Sequence, residues 1–318
     1  MDMSRRTFGL AAAALTLPAP VWAATPGKTT LEFMSSPLGD YLHVLLVRAD
    51  KPALPVFRPD GFPAAPEPGI LASIPERVAR QQLTAYDDVE PLIRAHVSRG
   101  LEAGEAASAM AELAPSFEYL RLGKPFYEAF EAYWRENVQA LSQAQISEWR
   151  LQNEQHGLLD RLATLHRLPG LKVDALPVVA MPFHASGSGT VDPPGVYSSL
   201  SRRPNLGWFL GHEATHLIWS GATGTEWEAH PLASRARALA EPRSIDLEEI
   251  ACLLMQVALP QSCGMIPADY RISAAFPDGG MKRLLGSLEE NLTIYQTDAV
   301  RWPTLIDYVL ETSLTALA

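Results

Sequence analysis

Cysteine is almost missing from this chain. Two in 318 residues exclude a disulfide framework, and Cys252 and Cys263 lack the C-x-x-C spacing of a zinc ribbon or redox pair. A single bridge between them and two free thiols are both open at this stage. Positive charge is also short, with 26 Lys and Arg against 36 Asp and Glu and a net charge of −10. No basic run occurs in the body of the chain, which argues against nucleic acid or an anionic membrane surface as a partner. No apolar stretch there reaches the roughly 18–20 uncharged residues of a membrane-spanning helix. Internal repeats are absent. What remains, 47% hydrophobic and 19% charged, describes a soluble globular protein with ample core.

The N-terminus carries a different signature. Ser4-Arg5-Arg6-Thr7-Phe8 precedes a short alanine-rich apolar stretch, Gly9 to Leu17, and Val21-Trp22-Ala23 offers a cleavage site. The paired arginines resemble a twin-arginine export signal, although Gly9-Leu10 stands where that pattern usually continues Leu-Lys. An ordinary secretory signal fits the same residues. Either one implies removal of residues 1–23 and a periplasmic or secreted protein of bacterial type.

Gly211-His212-Glu213-Ala214-Thr215-His216 is an H-E-x-x-H motif inside an apolar run. If Leu206 to Ser220 is a helix, four residues advance about 400°, so His212 and His216 share one face. Two neutral imidazoles one turn apart suit a zinc ion, each supplying a nitrogen at roughly 2.0–2.1 Å. Glu213 lies off their common line, where its carboxylate can hold a water as general base. Glu213 is the only charged residue between Asn205 and Ser220, as a buried site helix requires. Two hydrogen-bonded core histidines are the alternative, but burying two His and a Glu without a metal is costly.

At these residues the chain resembles the zincin metallopeptidases, a motif-level likeness over residues 196–252. The metzincin branch needs Gly and His three and six residues after His216, where this chain has Trp219 and Ala222. The gluzincin branch takes a glutamate as third zinc ligand, and Glu248 and Glu249 open an apolar helix 32 and 33 residues after His216. Glu248 is favoured. Asp246 and Glu249 have the spacing of a capping box, which would turn Glu249 toward the backbone, and Glu248 is followed at three residues by the small Ala251. The resemblance further implies an oxyanion-steadying Tyr or His, for which Tyr295, Tyr308 and His230 are candidates. It also implies strands before the metal helix, and Val196 to Ser199 is assigned as the edge that an extended substrate would pair with.

Periodicity predicts helices over 75–98, 105–113, 125–137, 138–168, 206–220, 244–259, 280–297 and 303–318. Strands are expected at 29–33, 43–47, 176–183 and 195–200. Six prolines make 51–69 a loop, and the Gly- and Ser-rich stretch 184–194 reads as another. His156 and His166 read as surface or boundary residues. The expected fold is α+β and predominantly helical, zincin-like, with a small sheet beside the H-E-x-x-H helix. A mainly helical region 24–170 and a catalytic region 171–318 form one continuous unit. The expected function is an exported Zn2+-dependent peptidase acting on peptides or proteins, with Glu213 catalytic and His212, His216 and Glu248 on the metal. The competing class is a periplasmic binding or cell-envelope assembly protein with a structural or inactive zinc site.

Overall fold

The computed structural model describes residues 29–41, 118–167, 171, 174–180, 188–191, 194–198, 205–219 and 227–318. The leader 1–23 and the elements expected across 42–117 lie outside the described residues. The protein is predominantly helical with one small sheet, consistent with an α+β class.

Strand β1 (Thr30–Ser35) pairs in parallel with β2 (Ala175–Ala180), placing Thr30 opposite Ala175 and Ser35 opposite Ala180. Between them the chain forms α1 (Glu118–Asn137), α2 (Gln139–His156) and α3 (Leu158–His166). β2 also pairs in parallel with β4 (Pro194–Ser198), which pairs antiparallel with β3 (Ser188–Val191), giving the order β1-β2-β4-β3. β2 is thus flanked on both sides and is buried from Leu176 to Ala180, as its unbroken apolar composition requires. Its Pro177, which has no N–H to give, precedes the stretch paired with β4, so only β1 lies beside it.

Three expectations change here. Residues 188–191 read as loop from composition, yet they form the outer strand of the sheet. Consequently Val196 and Tyr197, within the stretch Val196 to Ser199 assigned as an edge, pair on both sides and are interior, while Ser198 pairs with Ala180 of β2. The single helix expected over 138–168 is two helices, because Gly157 adopts φ +57° and its N–H closes α2 onto the Asn153 carbonyl at 2.8 Å. Left-handed backbone costs glycine little, so a turn fits there without strain.

Helix α4 (Leu206–Trp219) lies along β3 and β4 and against α6 (Leu247–Ser262). Between these two come α5 (Ala233–Ala240), which sequence periodicity did not reveal, and two short 3-10 turns. Helices α7 (Gly280–Thr297) and α8 (Leu305–Ala316) complete the chain. Trp149 of α2, fully buried, stacks on Phe209 of α4 at 5.7 Å between centroids and meets Phe33 of β1 at 6.5 Å. One aromatic column therefore joins the sheet, the second helix and the helix that carries the motif. No helix among the described residues is long and apolar enough to cross a membrane.

Candidate metal centre

Nearly every residue of α4 is buried. The exceptions within Leu206–Trp219 are Trp208, His212 and His216, all half-buried and spaced by four, so one strip of the helix faces outward from an apolar element. The 3.6-residue turn puts both motif histidines on that strip, with ring centroids 5.1 Å apart and the planes nearly edge-on. Glu213 lies off the strip and is 3% exposed.

Helix α6 brings acids to the same place. Asp246 caps it, Oδ1 accepting from the N–H groups of Glu248 at 2.9 Å and Glu249 at 3.4 Å, which satisfies two of the donors a helix start leaves open. The acidic first turn follows, and then residues Ile250 to Pro260 are buried without interruption. The two glutamates have different relations to the histidines. Glu248 Oε1 is 2.8 Å from Nδ1 of His216, a hydrogen bond. Glu249 Oε2 is 3.6 Å from Nε2 of His212 and 3.6 Å from Nε2 of His216.

Those distances decide what each carboxylate can do. An N···O separation of 3.6 Å is too long for a hydrogen bond. Two ligands of one tetrahedral zinc, each roughly 2.0–2.2 Å from the ion, stand about 3.3–3.6 Å apart. Glu249 Oε2 thus stands from each Nε2 at the spacing of a co-ligand. Glu248 has the relation of a carboxylate that orients a metal-binding histidine: it accepts the Nδ1 proton and leaves the Nε2 lone pair facing inward. Asp246 supplies the cap, and of the two carboxylates it is that of Glu249 that faces both Nε2 atoms while that of Glu248 meets His216 Nδ1.

Among the described residues, His212, His216 and Cys252 form a group whose donor atoms all lie within 4.8 Å of one another and could hold a metal ion. Cys252 is fully buried on α6, one turn beyond Glu249. Sequence reasoning treated it as core or disulfide; the interhelical contact that makes it a donor has no local signature. Both cysteines are free thiols. Burial is the largest influence on the His216 imidazole and disfavours its charge, but Cys252 and the neighbouring carboxylates of Glu248 and Glu249 together push its pKa up to about 12. Burial likewise drives the Cys252 thiol up to about 12, against the opposing pull of His216. In the absence of metal the centre therefore retains protons that a cation would displace.

The three oxyanion candidates make hydrogen bonds of their own. Tyr295, fully buried, donates to the Leu165 carbonyl at 2.6 Å, and Tyr308, also fully buried, donates to Leu288 at 2.5 Å. His230 Nδ1 accepts from the Leu232 N–H at 3.2 Å, so its proton is on Nε2, which is 2.9 Å from Asp307 Oδ1. Each hydroxyl and both ring nitrogens are engaged in packing α7, α8 and their neighbours. His166 is fully buried rather than at the surface. Thr215 Oγ1 gives its proton to the Gly211 carbonyl at 2.6 Å, so it accepts from His166 Nε2 at 3.0 Å. The motif helix is thereby held from α3. Comparison with family models, curated proteins and solved structures returns no match.

Proposed function

We propose that the protein is an exported, zinc-dependent hydrolase of gluzincin-like arrangement that cleaves amide bonds in peptides or proteins. The observation that carries this reading is the placement of Glu249 Oε2 at 3.6 Å from both histidine Nε2 atoms, beside an H-E-x-x-H glutamate. His212, His216 and Glu249 would hold the metal, and Glu248 would fix the His216 ring. The imidazole and carboxylate donors present fit zinc. Zinc supplies Lewis acidity there, easing deprotonation of water and polarising a carbonyl.

The protein's own residues carry the proton. The Glu213 carboxylate, on the motif helix and shielded from bulk solvent, accepts a proton from the attacking water and delivers it to the leaving nitrogen. Its burial among apolar residues of α4 excludes competing water. Strand β3, the outer strand beside α4, presents an edge on which an extended peptide would add as a further strand. Export is supported by Arg5-Arg6 and the apolar, small-residue segment that follows. The decisive experiment compares the purified chain with Glu213→Gln for zinc content and for hydrolysis of a mixed peptide library. Equal zinc in both, with turnover reduced by ~10²–10⁴-fold in the variant, is the expected result. Undiminished turnover would remove Glu213 from the mechanism, and absence of zinc would remove the centre.

One observation favours a second reading. Cys252 adds a further donor to the centre, and a metal enclosed by protein ligands is the mark of a structural site. On that reading the chain is a binding or envelope-assembly protein, with zinc retained and no hydrolysis.

A further inference from the structure

The two helices meet with matched donor spacings. On α4 the donors are four apart, His212 and His216; on α6 Glu249 and Cys252 are three apart, so each pair lies on one helical face. Sulfur, imidazole nitrogen and carboxylate oxygen are the donor types zinc accepts. A buried free cysteine is ordinarily a small hydrophobe packed on aliphatic neighbours. Cys252 instead has its Sγ within 4.8 Å of the donor atoms of both histidines.

We propose that Cys252 Sγ is itself a ligand of the metal, so that the resting centre is formed by His212, His216, Glu249 and Cys252. On metal binding the thiol proton leaves to solvent and the thiolate joins the centre. This inference rests on the metal site of the preceding section and is independent of hydrolysis. A four-donor centre has no position left for water until one donor withdraws, which makes Cys252 the residue that sets whether the site is open. It also biases the centre toward thiophilic ions over the hard divalent cations.

The test is cobalt substitution of the metal-free full-length mature chain, read by absorption. One Co2+ per chain with a near-ultraviolet thiolate-to-cobalt charge-transfer band is expected, unchanged in Cys263→Ser. Cys252→Ser should bind Co2+ and lose the band entirely. Because the chain has only two cysteines, a band that persists in Cys263→Ser assigns the ligand even if the Cys252 variant fails to fold. Stoichiometric Co2+ without the band, or a band lost in Cys263→Ser, overturns the proposal and leaves the metal centre standing. No bound Co2+ overturns both.

Discussion

At the residue scale the proposed centre rests on a division of labour between adjacent acids. Glu248 makes a 2.8 Å hydrogen bond to His216 Nδ1, while Glu249 faces the two Nε2 atoms from 3.6 Å. Removing an orienting carboxylate typically weakens metal affinity by about 10–100-fold, whereas losing a ligand removes a bond to the ion. Glu248→Ala is therefore expected to keep one zinc per chain with affinity reduced within that range. Glu249→Ala should lose more than 100-fold, roughly beyond the orienting effect. Competition with a chromophoric chelator measures both, and equal losses would erase the distinction. His166 gives a second residue-scale expectation. Full burial lowers its pKa from 6.5 to about 3, so the folded protein holds it neutral while the unfolded chain protonates it. The unfolded state then binds more protons between those values, and stability falls as pH drops from 6.5 toward 3. In the metal-free protein, His166→Gln should flatten that decline. Urea midpoints at pH 7 and pH 4.5, compared between wild type and variant, should show wild type losing more. Parallel losses would place the titration elsewhere.

At the scale of elements, the centre exists because α4 and α6 approach closely, and Gly211 permits it. A Cβ at Gly211 would fall well inside van der Waals contact distance of the Met255 carbonyl oxygen and 2.9 Å from its carbonyl carbon. Backbone atoms cannot turn aside as a side chain can. Replacing a helical glycine by alanine gains up to about 1 kcal/mol in propensity, while overpacking costs about 1–3 kcal/mol. With rigid backbone as the obstacle, overpacking wins. Gly211→Ala is expected to destabilise the protein and, by moving His212 and His216 away from Glu249, to weaken metal binding more than 10-fold, about the loss of one supporting contact. Chemical denaturation and metal titration on the same preparation test it; a stabilised variant with intact affinity would mean the helices already have room. The same element pair explains why His212 and His216 are half-buried while Ala214 and Leu217 are buried: the sheet and α6 leave one strip of α4 uncovered.

Across the whole molecule, the C-terminal helices are fastened to the site by one arginine. Arg167 ends α3 at φ +53° and reaches the end of α7, donating to Trp302 O at 2.6 Å, to Asp298 O at 3.3 Å and to Tyr295 O. Its guanidinium lies 4.4 Å over the Tyr295 ring. Carbonyls at a helix C-terminus carry partial negative charge and lack intrahelical donors, so a cation there is doubly favourable. Charged hydrogen bonds contribute about 1.5–3 kcal/mol each before non-additivity. Arg167→Ala should lower unfolding free energy by about 2–3 kcal/mol and leave metal stoichiometry unchanged in the folded fraction. A urea denaturation curve with parallel metal analysis checks both parts, and loss of metal without loss of stability would contradict the assignment. The β1–β2 ladder gives the other long-range closure, joining residue 30 to residue 175, so the early and late parts of the chain share one sheet and one core.

The sequence by itself determined the motif helix and the register of its two histidines, because side-chain phase on an α-helix is a property of local spacing. It also marked α6 as buried, through an apolar run that no exposed helix would carry, and Asp246 as its cap. Helix α7 begins and ends where periodicity placed it, at Gly280 and Thr297. Tertiary structure decided what depends on a neighbour. Glu248 and Glu249 differ by 100° around one helix, and which one meets Nε2 is set by how α6 rotates against α4. Strand β3 is too short and glycine-rich to announce itself, and forms because β4 supplies its hydrogen bonds. His166 and Cys252 looked like ordinary boundary and core residues, since their partners Thr215 and His216 are remote in the chain. Local order follows from steric and hydrogen-bonding rules within a few residues; which donors gather at the candidate metal centre follows from the contact between two helices, which those rules do not contain.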